Sequence, residues 1–142
     1  MTKTDSFYTL LDHTADLGIR VWGADLQNLF KNAGKALMQI LISGESLQTP
    51  HAKKITLSGD DLADLMVLWL GEILYLLVGD ELVVTSFPIV DVKSSRLNAV
   101  VETIPFDPEF HEILNEIKAV TYHQIQVVQK GTRWEAQVIF DL

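Results

Sequence analysis

Between Leu62 and Val78 the sequence leaves almost no polar side for a helix to turn toward water. Leu62, Leu65, Met66, Leu68, Trp69, Leu70, Ile73, Leu74 and Leu76 are spread over most of the helical circumference. Asp64, Gly71 and Glu72 interrupt the run, whereas a bilayer span needs about 20 consecutive apolar residues. The segment therefore reads as a helix inside a protein rather than inside a membrane. Such a helix needs cover on more than one face, so in a chain of 142 residues it must be a layer held between two others.

The flanking sequence supplies those layers. Residues 7–11 and 17–22 read as extended segments around a polar elbow at 12–16. From Asp25 the period lengthens. Leu26, Leu29, Phe30, Ala33, Leu37, Ile40 and Leu41 form one apolar helical stripe, with Asp25 as its N-cap and Gly44 as its stop. Residues 51–57 read as a strand, and Ser58 followed by Asp61 as the start of the second helix, over 59–78. The rest reads as β. Strands at 81–92 and 96–104 surround Lys93-Ser94-Ser95, and a loop at 105–108 breaks both ladders with its prolines. A hairpin of 117–129 and 133–140 then turns at Lys130-Gly131-Thr132. Trp134, Ala136, Val138 and Phe140 alternate onto one face, the core face, and Trp22, Trp69 and Trp134 read as core aromatics. The order β-α-β-α followed by four strands predicts a single α+β domain over 1–142, its helices layered between sheets.

Composition narrows the functions. The formal net charge is −8 and the 11 Lys and Arg are thinly spread, so autonomous binding to a nucleic-acid backbone is not expected. The same charge suits a basic protein surface or a divalent cation as partner, and equally a soluble protein with no charged partner. Without cysteine the chain can build neither a thiolate metal site nor a cysteine nucleophile. The opening stretch, MTKTDSFYTL, lacks the continuous apolar segment of a signal peptide, so a cytoplasmic location is expected.

Three polar clusters are candidates for function: Asp12-His13-Thr14-Ala15-Asp16 ahead of Gly18, Thr121-Tyr122-His123, and the final Asp141-Leu142. Asp12 and Asp16 suit Asx turns that bond their own backbone. They also suit cation ligation if another segment adds oxygen donors. Asp141 and the terminal carboxylate of Leu142 would add two, provided the first and last strands are neighbours. Such hard donors favour calcium or magnesium over zinc or copper. Strand alternation would put Thr121, His123 and Ile125 on one face and Tyr122 on the other, so that triplet could not act as one cluster. Asp60, Asp61 and Asp64 read as a solvated first turn that complements the helix dipole. Histidines without HxH or HxxxH spacing make zinc unexpected, and no phosphate-cradling glycine loop or GxSxG elbow points to catalysis.

In this order, DHTADLGIRVWG at 12–23, DLADLMVLWLGEILYL at 61–76, KAVTYHQIQV at 118–127 and RWEAQVIFDL at 133–142 resemble the archease family over essentially the whole chain. The resemblance implies a three-layer fold and a non-catalytic role as an accessory of an RtcB-type RNA ligase. Such an accessory promotes the GTP-dependent guanylylation of a histidine on the ligase, and so its multiple turnover in tRNA splicing or RNA repair. The resemblance also implies a divalent metal site of Asp16, Asp141 and Leu142, with Asp12, His13 and His123 as supporting candidates. Calcium is the first expectation for the cation, with magnesium and manganese as alternatives. Val101 stands where the family commonly has glycine, so the turn at 104–108 is expected to differ locally. Two rival readings take the same residues differently: a metal-dependent hydrolase that turns over a phosphoester alone, and a general protein chaperone.

Overall fold

The computed structural model describes residues 7–12 and 16–142, the side chain of Asp12 excepted. Among them the chain forms two helices and ten strands. A hairpin of β1 (Tyr8–Asp12) and β2 (Asp16–Gly23) precedes α1 (Leu26–Leu41). Next come β3 (Ile42–Ser43), β4 (His51–Ser58) and α2 (Leu62–Val78). The chain then runs through β5 (Leu82–Val92), β6 (Arg96–Pro105), β7 (Glu112–Ile113), β8 (Ala119–Val120), β9 (Gln126–Lys130) and β10 (Arg133–Asp141).

One sheet has the order β1-β2-β10-β8, with β9 also paired to β10; the other has the order β4-β6-β5, and a short ribbon joins β3 to β7. Helix α1 packs on β2 and β10 of the first sheet and on β5 of the second, while α2 touches β8 and β9 on one side and β4, β5 and β6 on the other. The helices therefore fill a three-layer α+β arrangement, as the apolar circumference of α2 requires. Leu65, Met66, Trp69, Leu70, Ile73 and Leu76 of α2 are wholly buried, as are Ile19, Val21, Val138 and Phe140 from one sheet and Leu97 and Val101 from the other. All belong to one continuous core. Trp69 ties the layers together. Its Nε1–H donates to the Phe30 carbonyl of α1 at 2.8 Å, and its ring meets Phe87 of β5 edge-on with centroids 6.0 Å apart. No helix among the described residues is long and apolar enough to cross a membrane.

Several local features differ from the sequence reading. Helix α2 begins at Leu62, capped by Asp61 and not by Ser58. Asp61 Oδ1 accepts from the Asp64 N–H and Asp64 Oδ2 accepts from the Asp60 N–H, each at 2.8 Å, so two carboxylates satisfy donors that Ser58, the last residue of β4, leaves alone. Gly44 does not stop α1, whose C-cap is the extended Ile42. Gly44 instead lets two backbones meet: its φ is +100°, and a Cβ there would stand 1.9 Å from the Phe110 carbonyl oxygen. Pro105 stays in the ladder as the last residue of β6, opposite Leu82. Trp22 is not a core aromatic. It alternates with buried Val21 onto the outer face of its sheet, half-buried, with the Arg133 guanidinium 5.2 Å from its ring centroid. Finally, six strands follow α2 rather than four, because the ribbon strand β7 was not foreseen and the expected strand at 117–129 is split into β8 and β9.

Candidate functional site

The acidic candidates sit where β2 begins and β10 ends. Buried side chains set the register of these antiparallel strands: Val138 lies opposite Ile19, and Ala136 opposite Val21. A slip by one residue would turn this apolar set out to solvent. The same register puts Asp141 opposite Asp16. Directly opposed residues share a face, with Cβ atoms about 4.5–5.5 Å apart. Asp16 is half-buried, Asp141 is exposed, and Leu142 follows, also exposed. On the other side of β10, Ala119 of β8 pairs with Asp141, and the Lys118 N–H donates to the Asp141 carbonyl at 2.8 Å.

Like charges directly opposed across two strands repel, and a cation between them removes that repulsion. Carboxylate oxygens are the donors that calcium, magnesium and manganese take, so the chemistry of the pair fits such an ion. Among the described residues no three His, Asp or Glu side chains are grouped to hold a metal. His13 and the side chain of Asp12 lie outside the described residues; the Asp12 backbone pairs with Leu17 at the end of β1. His123 is exposed and does not join Asp16 and Asp141 in a group of three.

The Thr121-Tyr122-His123 triplet is not in a strand, so the alternation argument does not apply to it. Residues 121–125 bulge out opposite only Val138 and Ile139, between the Val120–Phe140 pair of β8 and the Gln126–Gln137 pair of β9. Gln124 has a φ of 55°, in the left-handed region. Distant residues fasten the bulge. The Thr121 N–H and Oγ1–H both donate to the Ile139 carbonyl, at 3.1 and 2.9 Å. Gln137 Nε2 donates to the Gln124 carbonyl at 3.1 Å while its Oε1 accepts from Arg20 at 2.8 Å. The Tyr122 hydroxyl donates to Asp64 Oδ1 at 2.6 Å. This last bond ties the second polar cluster to the cap of α2. Sequence reasoning missed it: Asp61-x-x-Asp64 is legible as a reciprocal cap, but nothing near Tyr122 marks it as the partner.

The bond shifts both groups. The Tyr122 hydroxyl, and then the Asp60 N–H, hold the Asp64 carboxyl below the usual carboxylate range; the same bond, then burial and the nearby acids, push the Tyr122 phenol up. Asp64 thus stabilises the fold above its ordinary pKa of about 3.9, and that contribution is lost as pH falls through its lowered value. Tyr122 contributes below its ordinary pKa of about 10, and its contribution is lost as pH rises through its raised value. Tyr122→Phe should therefore raise the Asp64 pKa, read by NMR titration of the carboxyl carbon. It should also lower resistance to urea at neutral pH, with the deficit shrinking toward both extremes of pH.

The model of the Archease protein family (MTH1598/TM1083) matches residues 8–142. The protein archease of Methanosarcina acetivorans is 34% identical over 139 residues, 95% of each chain. That of Pyrococcus furiosus is 33% identical over 135 residues, 92% of this chain and 95% of its own. The solution structure of protein 1598 of Methanobacterium thermoautotrophicum superposes with a TM-score of 0.71 at 27% identity, covering 96% of this chain and 99% of the other. A crystal structure from Thermotoga maritima, described as an archease and possible chaperone, shares the fold with a TM-score of 0.60 at 19% identity, over 93% of this chain and 94% of its own. Family model and relatives span nearly the whole chain and both three-dimensional comparisons reproduce its layers, so the chain belongs to the archease family.

Proposed function

We propose that this chain is a non-catalytic activator of an RtcB-type RNA ligase. It promotes GTP-dependent guanylylation of the ligase's histidine, and with it multiple turnover in tRNA splicing or RNA repair. The observation that carries the reading is the β2–β10 register, which opposes Asp16 and Asp141 in a chain of the archease family. Asp16, Asp141 and the terminal carboxylate of Leu142 hold a divalent cation, calcium first and magnesium or manganese as alternatives. When bound, the ion supplies a positive centre for phosphate oxygens. The protein's own part is to hold two acids side by side where β2 begins and β10 ends, keep Asp141 aligned through β8, and leave Asp141 exposed. The net charge of −8 favours docking on a basic surface of the ligase.

The deciding experiment measures guanylylation and RNA joining by the ligase, with GTP and divalent metal, with and without substoichiometric amounts of this protein. Conversion of single-turnover joining into multiple turnover is the expected result. No effect at any ratio, with the ligase shown to be competent, refutes the proposal. A peptide extension at the C-terminus turns the Leu142 carboxylate into an amide. It should weaken calcium binding roughly tenfold or more by titration calorimetry, while an N-terminal extension should leave it unchanged.

A further inference from the structure

A short segment joins the acidic pair to a hollow. Ala119 pairs with Asp141, and just upstream Glu116 and Ile117 line a cavity of about 550 Å³. Leu41 and Leu77, near the ends of the two helices, and Phe106, from the loop after β6, give it further apolar lining. Val78 and Ile113 also line it, yet they are 66% and 40% exposed. Single exposed hydrophobics are ordinary on a protein surface. Two of them opening onto a concave apolar hollow suit a contact surface.

No Lys or Arg lines the hollow. Glu81 and Glu116 line it. Next to lining residues in the chain stand Asp80, Asp107, Glu109 and Glu112. Lys118 is the first base to follow. Glu81 also sits in the left-handed region, with a φ of 56°, where glycine would be less strained. Its backbone closes α2 against the loop after β6: its N–H donates to the Leu77 carbonyl at 3.1 Å and its carbonyl accepts from the Phe106 N–H at 2.8 Å. An acid thus occupies a strained position at the wall of the hollow.

We infer that the hollow docks an amphipathic cationic segment of the partner protein, an apolar side chain entering it while Lys or Arg meets Glu81 and Glu116. The inference rests on the reading that this chain acts by docking on another protein. Charge selects the occupant. A second copy of this chain, at −8, would bring like charge to an acidic rim, whereas a cationic segment gains on approach and in place. Continuity with Asp141 through residues 116–119 lets one partner cover both the hollow and the acidic pair.

Fluorescence anisotropy with two labelled probes, an amphipathic Leu/Lys peptide and its Leu/Glu counterpart, tests the surface without the ligase. The Leu/Lys probe should bind at least roughly tenfold more tightly than the Leu/Glu probe. It should lose roughly tenfold in affinity with Ile113→Ser and with the pair Glu81→Gln and Glu116→Gln, thermal melts showing each variant folded. Equal binding of the two probes, or binding indifferent to these variants, overturns the inference. In the ligase assay the same variants should raise the concentration for half-maximal stimulation and leave its plateau intact, and an unchanged half-maximal concentration overturns the inference too. A ligase left unstimulated by the unaltered protein, while the probes behave as expected, overturns the proposed function and upholds the surface.

Discussion

Asn in place of Asp16 or of Asp141 should abolish stimulation of the ligase and, in the same molecules, slightly raise the melting temperature of the metal-free protein. The two effects have one cause. The β2–β10 register opposes the two carboxylates on one face, and like charges directly opposed across strands destabilise a sheet. Removing one charge relieves the pair, and a rise of about a degree is the scale to expect. Adding calcium should raise the melting temperature of the unaltered protein by mass action and leave either variant where it was. Calorimetric melts with and without calcium, run beside the joining assay, separate a lost ligand from a lost fold. Full stimulation by both variants would remove Asp16 and Asp141 from the mechanism.

The largest effect on stability should come from Trp69→Ala. Trp69 is wholly buried, donates to the Phe30 carbonyl and meets Phe87 edge-on, so it touches α1 and the second sheet from its place in α2. Truncating a buried Trp to Ala removes the transfer free energy of the ring and leaves a cavity, together about 3–5 kcal/mol. That is a large share of the stability of about 5–15 kcal/mol typical of whole proteins. The melting temperature should fall by roughly 10 °C or more. Trp69→Phe keeps most of the apolar volume and loses the N–H donor, so its deficit should be clearly smaller in urea titrations. A loss below about 1 kcal/mol for Trp69→Ala would contradict the central place of α2.

The helices were legible because their residues state both a period and a surrounding. The stripe from Leu26 to Leu41 with Asp25 ahead of it marks a capped helix, and the apolar circumference of α2 requires cover on two sides; the structure has both, although α1 also buries Asn32, Gly34, Ala36 and Met38 off the stripe and packs on both sheets. The pairing of Asp16 with Asp141 was legible only conditionally. Sequence offers an acid at the end of each of two strands, but their adjacency comes from packing that buries Ile19, Val21, Ala136 and Val138 together. The bulge at 121–125 was not legible. It contains neither Gly nor Pro, its apolar residues continue a strand-like pattern, and the left-handed Gln124 is held by Gln137, far along the chain. The ribbon of β3 and β7 has two residues on each side, too few to leave a period. Ser58 and Asp61 are both competent helix caps; where the chain leaves β4 decided between them.

Strand β10 is the centre of its sheet, holding β2 on one side and β8 and β9 on the other, although β2 and β10 lie near opposite ends of the chain. Bringing them together closes a loop of most of the sequence, an entropic cost met before any of the contacts that compensate it. A molecule in which α1, α2 and the β4-β6-β5 sheet have assembled, but β10 has not yet inserted, keeps Asp16 and Asp141 apart. The acidic pair thus depends on the pairing most distant along the chain. A copy in which β10 has not inserted lacks the pair, so whatever the pair does is a property of finished molecules alone.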